Sequence, residues 1–277
     1  MKSVKQSSLK SLSIMLFSLA ILFTLTGVSL AANIYVPADY TTIQGAINAS
    51  SSGDTVFISA GTYYENITIS TDNITVTNDC KDVVIIDGGG NDRVVTMNGD
   101  STLEGLIITN GYTASSGAGI YFNASTATVR DCEIYDNAAN SGGGGIYAGL
   151  AYPTIIGCDI HDNTASNGAG ISSSSVGTTI IDSSDIHDNT ATSTGGGIYS
   201  QLHGNAVIIR NDSVVRNNVA AYGGGIYISG TQLTMTESDI LDNYVVGTNG
   251  LGGGVYGSSA TTMSFTECEI IGNQSYT

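Results

Sequence analysis

Isoleucine or valine follows a glycine-rich corner at Gly117-Ala118-Gly119-Ile120, Gly143-Gly144-Gly145-Ile146, Gly168-Ala169-Gly170-Ile171, Gly195-Gly196-Gly197-Ile198, Gly223-Gly224-Gly225-Ile226 and Gly252-Gly253-Gly254-Val255. The apolar residues of that series are 26, 25, 27, 28 and 29 positions apart. A second pattern, apolar-x-x-Asn, runs in the same phase at Ile107/Asn110, Ile134/Asn137, Ile160/Asn163, Ile186/Asn189, Val215/Asn218, Ile240/Asn243 and Ile270/Asn273. Two signals that keep phase over this length predict a repeat architecture, one coil per period.

Residue chemistry selects the kind of coil. Glycine clusters with Thr, Ser and Asn between them forbid the long helical runs of an α-solenoid. What remains are strand-sized segments such as Thr128-Val129-Arg130, Pro153-Thr154-Ile155-Ile156 and Ala206-Val207-Ile208-Ile209, bounded by corner residues. The expected fold is therefore all-β: a single-domain right-handed parallel β-helix. Equivalent residues then lie about 4.8 Å apart along the axis, and each column becomes a ladder. Isoleucines form the core, asparagines bond along a corner, and glycine supplies positive φ at the opposite corner. Two residues ahead of each ladder position stands a small residue: Gly105, Cys132, Cys158, Ser184, Ser213, Ser238 or Cys268. The column reads these cysteines as space-fillers, although Cys132 and Cys158 would stand close enough to bridge.

The ends depart from the pattern. Ile43, Ala46 and Ile47 share one face of a short amphipathic helix expected to cap the solenoid. The chain stops at Thr277 without a further glycine corner, which would leave an edge; continuation in a longer parent, docking to another module or a truncated reading frame is expected. Lys2, Lys5 and Lys10 precede an apolar stretch from Ile14 to Leu30, and Ser29-Leu30-Ala31 fits a small-x-small cleavage site. Residues 1–31 are therefore expected to be a secretory signal peptide, with a retained membrane anchor as the alternative. Residues 32–102 would form the cap and first coils, and 103–277 the regular repeats.

Charge narrows the partners. The full chain carries −16; removing the three leader lysines leaves five basic residues against 24 acidic ones, or −19. Phosphate backbones demand basic surface, so nucleic acid is excluded as a partner. Ca2+, polysaccharide or other cell-envelope components fit better, with no membrane span once the leader is removed. The four cysteines, Cys80 among them, show no paired metal spacing. Sequons begin at Asn48, Asn66, Asn73, Asn123, Asn211 and Asn273 and permit glycosylation where the cell provides it.

Two outward columns carry candidate chemistry. The block Asp159-Ile160-His161-Asp162-Asn163 recurs as Asp185-Ile186-His187-Asp188-Asn189. With Ile and Asn inward, Asp159 stacks on Asp185 and His161 on His187. Glu133 extends the acidic column on one side; beyond Val214 it resumes at Asp239 and Glu269. Like charges ~5 Å apart repel by about 0.8 kcal/mol even in water. A divalent cation on Asp159, Asp162, Asp185 and Asp188 would relieve that. So would a carboxyl of raised pKa, which makes Asp159, His161, Asp185 and His187 the catalytic candidates. Simple duplication of a solubilising surface explains the same blocks without either. Arg216 enters the histidine column one coil on, and Arg210 lies in a coil with one extra residue, read as a bulge. The second column is Tyr121, Tyr147, Tyr199, Tyr227 and Tyr256, interrupted by Ser172. It is a candidate ligand-contact surface or a self-stabilising ladder.

The segment from Tyr35 to Gln44, with Ser59-Ala60-Gly61-Thr62-Tyr63, resembles the leading segment of exported members of the pectin-lyase-like superfamily. The Gly-Gly-Gly-Ile-Tyr and Ile-x-x-Asn repeats also resemble polymorphic outer-membrane-protein repeats of surface adhesins. The resemblance implies the β-helix fold and leaves chemistry open, since the superfamily holds lyases, hydrolases, adhesins and inert surface proteins. The Asn-Thr-Asp and Gly-His-Gly signatures of its polygalacturonases do not occur; Leu202-His203-Gly204 is only a fragment. The function expected is a secreted or cell-surface, non-catalytic repeat protein contacting polysaccharide or envelope components. The alternative is a polysaccharide lyase or glycoside hydrolase, with calcium as a candidate cofactor. A metal-loaded accessory protein is the third reading.

Overall fold

The computed structural model describes residues 30–79, 83–123, 126–174, 177–201, 204–247, 250–259 and 261–275. Residues 1–29 of the expected leader, Cys80 and His203 lie outside them. From Ala31 onward the chain is one compact unit. Among the described residues its strands form four parallel sheets: A with ten strands, B with nine, C with eight and D with seven. Sheet A runs from Asn33–Val36 to Thr262–Thr266, B from Gly61–Tyr64 to Ile270–Ile271, C from Ile67–Ile69 to Val255–Ser258 and D from Tyr112–Thr113 to Gln274–Ser275. Each full coil visits C, A, B and D in turn, so strands adjacent in space are a whole coil apart in sequence.

Short strands suffice because the partner is always the next coil. Fixing a coil of about 25 residues costs ~25–50 kcal/mol of backbone entropy. A few inward side chains at about 1.5–3 kcal/mol each cannot offset that in isolation, so stability comes from stacking. Inward on sheet B stand Ile86, Ile108, Ile134, Ile160, Ile186, Val215 and Ile240, all 0% exposed. Sheet A contributes Val129, Ile155, Ile181, Ile209 and Met235, and sheet C contributes Ile120, Ile146, Ile171, Ile198 and Ile226.

Helix α1 spans Ile43–Ala49, and its buried residues are Ile43, Ala46 and Ile47, the face expected from sequence. Thr42 caps it by accepting from Gly45 N at 3.1 Å. Glu65 reaches over from the first coil and accepts from Ile43 N and Gln44 N at 2.9 and 3.0 Å. Two donors that a helix start leaves unpaired are thereby satisfied by one carboxylate.

The asparagine corner forms a continuous ladder. Nδ2 of Asn137, Asn163, Asn189, Asn218 and Asn243 each donates to Oδ1 of the next, at 2.9–3.1 Å. Each also donates to a carbonyl of the preceding coil, such as Ile160 O for Asn189 at 2.8 Å. One sequence assignment moves. Ile134 aligns with Ile108, not Ile107, and Gly111, not Asn110, donates its N–H to Asn137 Oδ1. Asn110, with φ 57, belongs to the left-handed column of Asp136, Asp162, Asp188, Asn217 and Asp242. Gly105 likewise leaves the small-residue column, where Leu106 takes its place: Leu106 O pairs with Glu133 N as Cys132 O pairs with Asp159 N.

The opposite corner explains its glycines by close approach. A Cβ on Gly143, at φ +65, would sit 2.2 Å from Ile146 O. On Gly145 it would meet Gly170 O at 2.8 Å and Asn163 Nδ2 at 3.0 Å. The extra residue of the Arg210 coil is not a strand bulge. Asp182 aligns with Arg210 and Asp185 with Val214, so the surplus lies in the turn, where Asn211 and Asp212 are both left-handed. Cys132 and Cys158 stack as free, buried thiols. Among the described residues no helix is long and apolar enough to cross a membrane.

Candidate functional site

Sheet B carries the acid–histidine columns on its outer face. Strand pairing aligns Glu133 with Asp159 and Asp185, and Tyr135 with His161, His187 and then Arg216. The rings stack: Tyr135 to His161 at 5.2 Å between centroids and 6° between planes, His161 to His187 at 4.9 Å and 8°. The stacking sets each imidazole face to face with its neighbours and leaves its edge, with the two nitrogens, for other partners.

Both nitrogens of each histidine meet carboxylates. His161 has Nδ1 2.8 Å from Asp162 Oδ2 and Nε2 3.2 Å from Glu133 Oε1. His187 repeats this one coil later, with Nδ1 2.6 Å from Asp188 Oδ2 and Nε2 2.8 Å from Asp159 Oδ1. Arg216 completes the series through Nη2 and Nε on Asp185, at 2.8 Å and 3.0 Å. His161, His187 and Arg216 thus each pair diagonally with the acid one coil earlier. The staircase gives Glu133, Asp159 and Asp185 each a nitrogen partner.

The local sequence sets up the pairing. Asp162 and Asp188 occupy the left-handed turn position at φ 51 and 52, a conformation that Asp tolerates better than most residues. From there each carboxylate bends back to the imidazole before it. Burial opposes the charged form of His161, but the bonds from Asp162 and Glu133 and the nearby Asp159 charge outweigh it and raise its pKa.

The sequence-derived candidates therefore divide. Asp159, Asp185 and His187 offer ligand atoms that all lie within 4.8 Å of one another. Asp162 and Asp188 stand on the far side of the imidazoles and touch Nδ1. The catalytic candidates Asp159, His161, Asp185 and His187 lie together on the outer face of adjacent strands of sheet B.

The tyrosine column lies on sheet C. Tyr121 and Tyr147 stack at 5.4 Å and 15° and Tyr199 and Tyr227 at 5.4 Å and 19°, while Tyr227 and Tyr256 are tilted by 31° at 5.4 Å. Ser172 aligns between Tyr147 and Tyr199 and is 1% exposed, so neighbouring atoms cover the break. The Arg93 guanidinium lies 4.4 Å over the Tyr121 ring. Ring faces are used by one another, and ring edges remain for a ligand.

Two features escaped the sequence reading. A cleft of about 420 Å³ beside the turn from sheet A to sheet B is lined by Asp212, Glu237, Asp239, Glu267 and Glu269; the turn acids had not been aligned with the ladder acids. Inside the solenoid, Ser173, Thr179, Ser200 and Asn205 form a buried polar patch, with Asn205 Nδ2 donating to Ser200 Oγ at 2.9 Å and Ser173 Oγ at 3.1 Å. Its signal was present: Ser173 and Ser200 stand two residues after the ladder isoleucines, where Phe122 and Ile228 stand in other coils.

Residues 60–230 and 118–277 match the family described as the right handed beta helix region. The fold is similar to that of pectate lyase Pel9A, with a TM-score of 0.55 and 14% identity over 87% of this chain and 79% of that one. It is also similar to a pectin methylesterase from Aspergillus niger, with a TM-score of 0.53 and 14% identity over 89% and 87% of the two chains. No curated protein matches the sequence. At this identity the structural likeness establishes the coil and carries no residue-level chemistry.

Proposed function

Because this chain belongs to the right-handed parallel β-helix family, we propose that it is a secreted or cell-surface protein that contacts polysaccharide along the outside of its coils without transforming it. The observation that carries this reading is the tyrosine column of sheet C, a straight row of half-buried rings at 5.4 Å intervals broken once. A linear row of ring edges and hydroxyls suits a linear, neutral polymer, because each coil repeats the same apolar edge and polar tip. The chain's acidity suits neutral better than uronate polymers. Similarity of the glycine and asparagine repeats to those of surface adhesins supports the location, as does the leader-like N-terminus.

The second reading, a polysaccharide lyase or glycoside hydrolase, is favoured by one observation: His187 and Asp159 are paired at 2.8 Å beside Asp185. Against it, both ring nitrogens already face carboxylates.

Affinity electrophoresis through gels containing neutral or uronate polysaccharides tests the first reading. Binding weakened by Tyr147→Ala, Tyr199→Ala and Tyr227→Ala, with no new reducing or unsaturated ends, supports it. Product release that disappears in His187→Ala establishes the second reading instead.

A further inference from the structure

Asn205 stands alone in its column. Strand pairing places Gly177 at the equivalent position one coil earlier and Thr231 one coil later, since Thr178, Ala206 and Gln232 align just after them. The Asn205 side chain lies inside the solenoid and is 1% exposed. Its Nδ2 donates to Ser173 Oγ and Ser200 Oγ at 3.1 and 2.9 Å, but among the described residues Oδ1 has no hydrogen-bond partner. Turning the amide over would exchange the two atoms and leave Nδ2 without a partner instead. Native interiors supply a partner to nearly every such buried group.

The surroundings offer polar company and room. Ser173 and Ser200 occupy the column that Phe122 and Ile228 fill in other coils, and Gly177 brings no side chain. Less of the interior is therefore filled by side chains here. Ser200 Oγ and Thr231 Oγ1, from successive coils, are 3.5 Å apart, longer than an ordinary O–H···O bond. On the outside of the same corner lies a cavity of about 330 Å³, lined by Asn205 and Thr231 together with Thr178, Gly204, Gly230 and Gln232. None of these side chains is charged, which favours water over an ion.

We propose that a buried water molecule sits between Asn205, Ser200 and Thr231, donates to Asn205 Oδ1 and is a fixed part of the fold. Internal waters make about three hydrogen bonds to groups otherwise left unpaired. One amide oxygen and two hydroxyls supply that number here. Thr179 Oγ1 already stands 3.0 Å from Ser173 Oγ. The water thus completes a polar strut through three coils, from Thr179 and Ser173 through Asn205 to Thr231. The strut lies at the corner between sheets C and A, away from the asparagine ladder between B and D. The outer cavity, which reaches the same two residues, gives the water its route to solvent.

Diffraction to atomic resolution from crystals of the intact chain reads this directly. A solvent peak is expected about 2.8 Å from the Asn205 amide. Pressurising the crystals with xenon should place no xenon there, because that gas enters dry, apolar voids. In Asn205→Leu the peak should vanish. In Thr231→Val, which removes one partner and keeps the shape, its occupancy should fall. Circular dichroism confirms that each variant keeps its coils; where one does not fold, the intact chain decides alone. An interior without solvent density at the amide, xenon bound there, or a peak that survives in folded Asn205→Leu would each overturn the proposal.

Discussion

Asn163 Nδ2 donates to Asn189 Oδ1 at 3.0 Å across 26 residues of chain. The same Oδ1 accepts from Asn163 N at 3.1 Å. One amide oxygen thus holds both the side chain and the backbone of the preceding coil, in a place 0% exposed. Removing one rung strands partners on both sides, and that asymmetry makes the ladder a sensitive point of the fold.

Asn189→Ala is expected to cost about 2–4 kcal/mol, since several buried polar groups lose partners at once. Urea unfolding should show a lower midpoint. A midpoint equal to the parent's would mean that water replaces the amide there.

Gly168→Ala is expected to destabilise by at least about 1 kcal/mol, because φ is +56 and the new Cβ would lie 2.3 Å from Ile171 O. Ala169→Gly, one residue on, replaces a side chain already tolerated there and should cost less. Paired thermal melts decide it, and equal losses would contradict the steric account.

How far the sequence carried the structure is visible at these positions. The cap face Ile43, Ala46 and Ile47, the asparagine ladder from Asn137 onward and the stacking of His161 on His187 were all legible, because strict phase fixes neighbours in a solenoid. The first repeat was not. Ile107 and Ile108 are both apolar, and only strand pairing reveals which one faces inward. Likewise Arg216 was placed in the right column, but its fork onto Asp185 depends on side-chain reach, which phase does not encode.

The pH dependence of stability follows from His161. Its folded pKa lies above the ordinary imidazole value, because, despite burial, Asp162 and Glu133 hydrogen-bond to the ring, so its contribution is fully present below the unfolded pKa and is lost as pH rises through the folded one. The parent should therefore lose stability relative to His161→Gln as pH rises from the ordinary imidazole range upward. Parallel denaturation curves at several pH values check this, and parallel slopes would refute it.

Thiol chemistry should separate the cysteines. Burial raises Cys132 well above its ordinary value and pushes Cys158 up to about 12, so neither presents thiolate at pH 8. Iodoacetamide followed by peptide mapping should label Cys268, which is partly exposed, before either of them. Early labelling of Cys158 would show that the coils open there.

The turn at Asn211 and Asp212 absorbs a surplus residue while Val215 stays aligned with Ile186 on one side and Ile240 on the other. Such a turn works as an expansion joint. New segments can be accepted at that corner while the interior keeps its alignment, so the outer surface is free to diversify at a rate the core never feels.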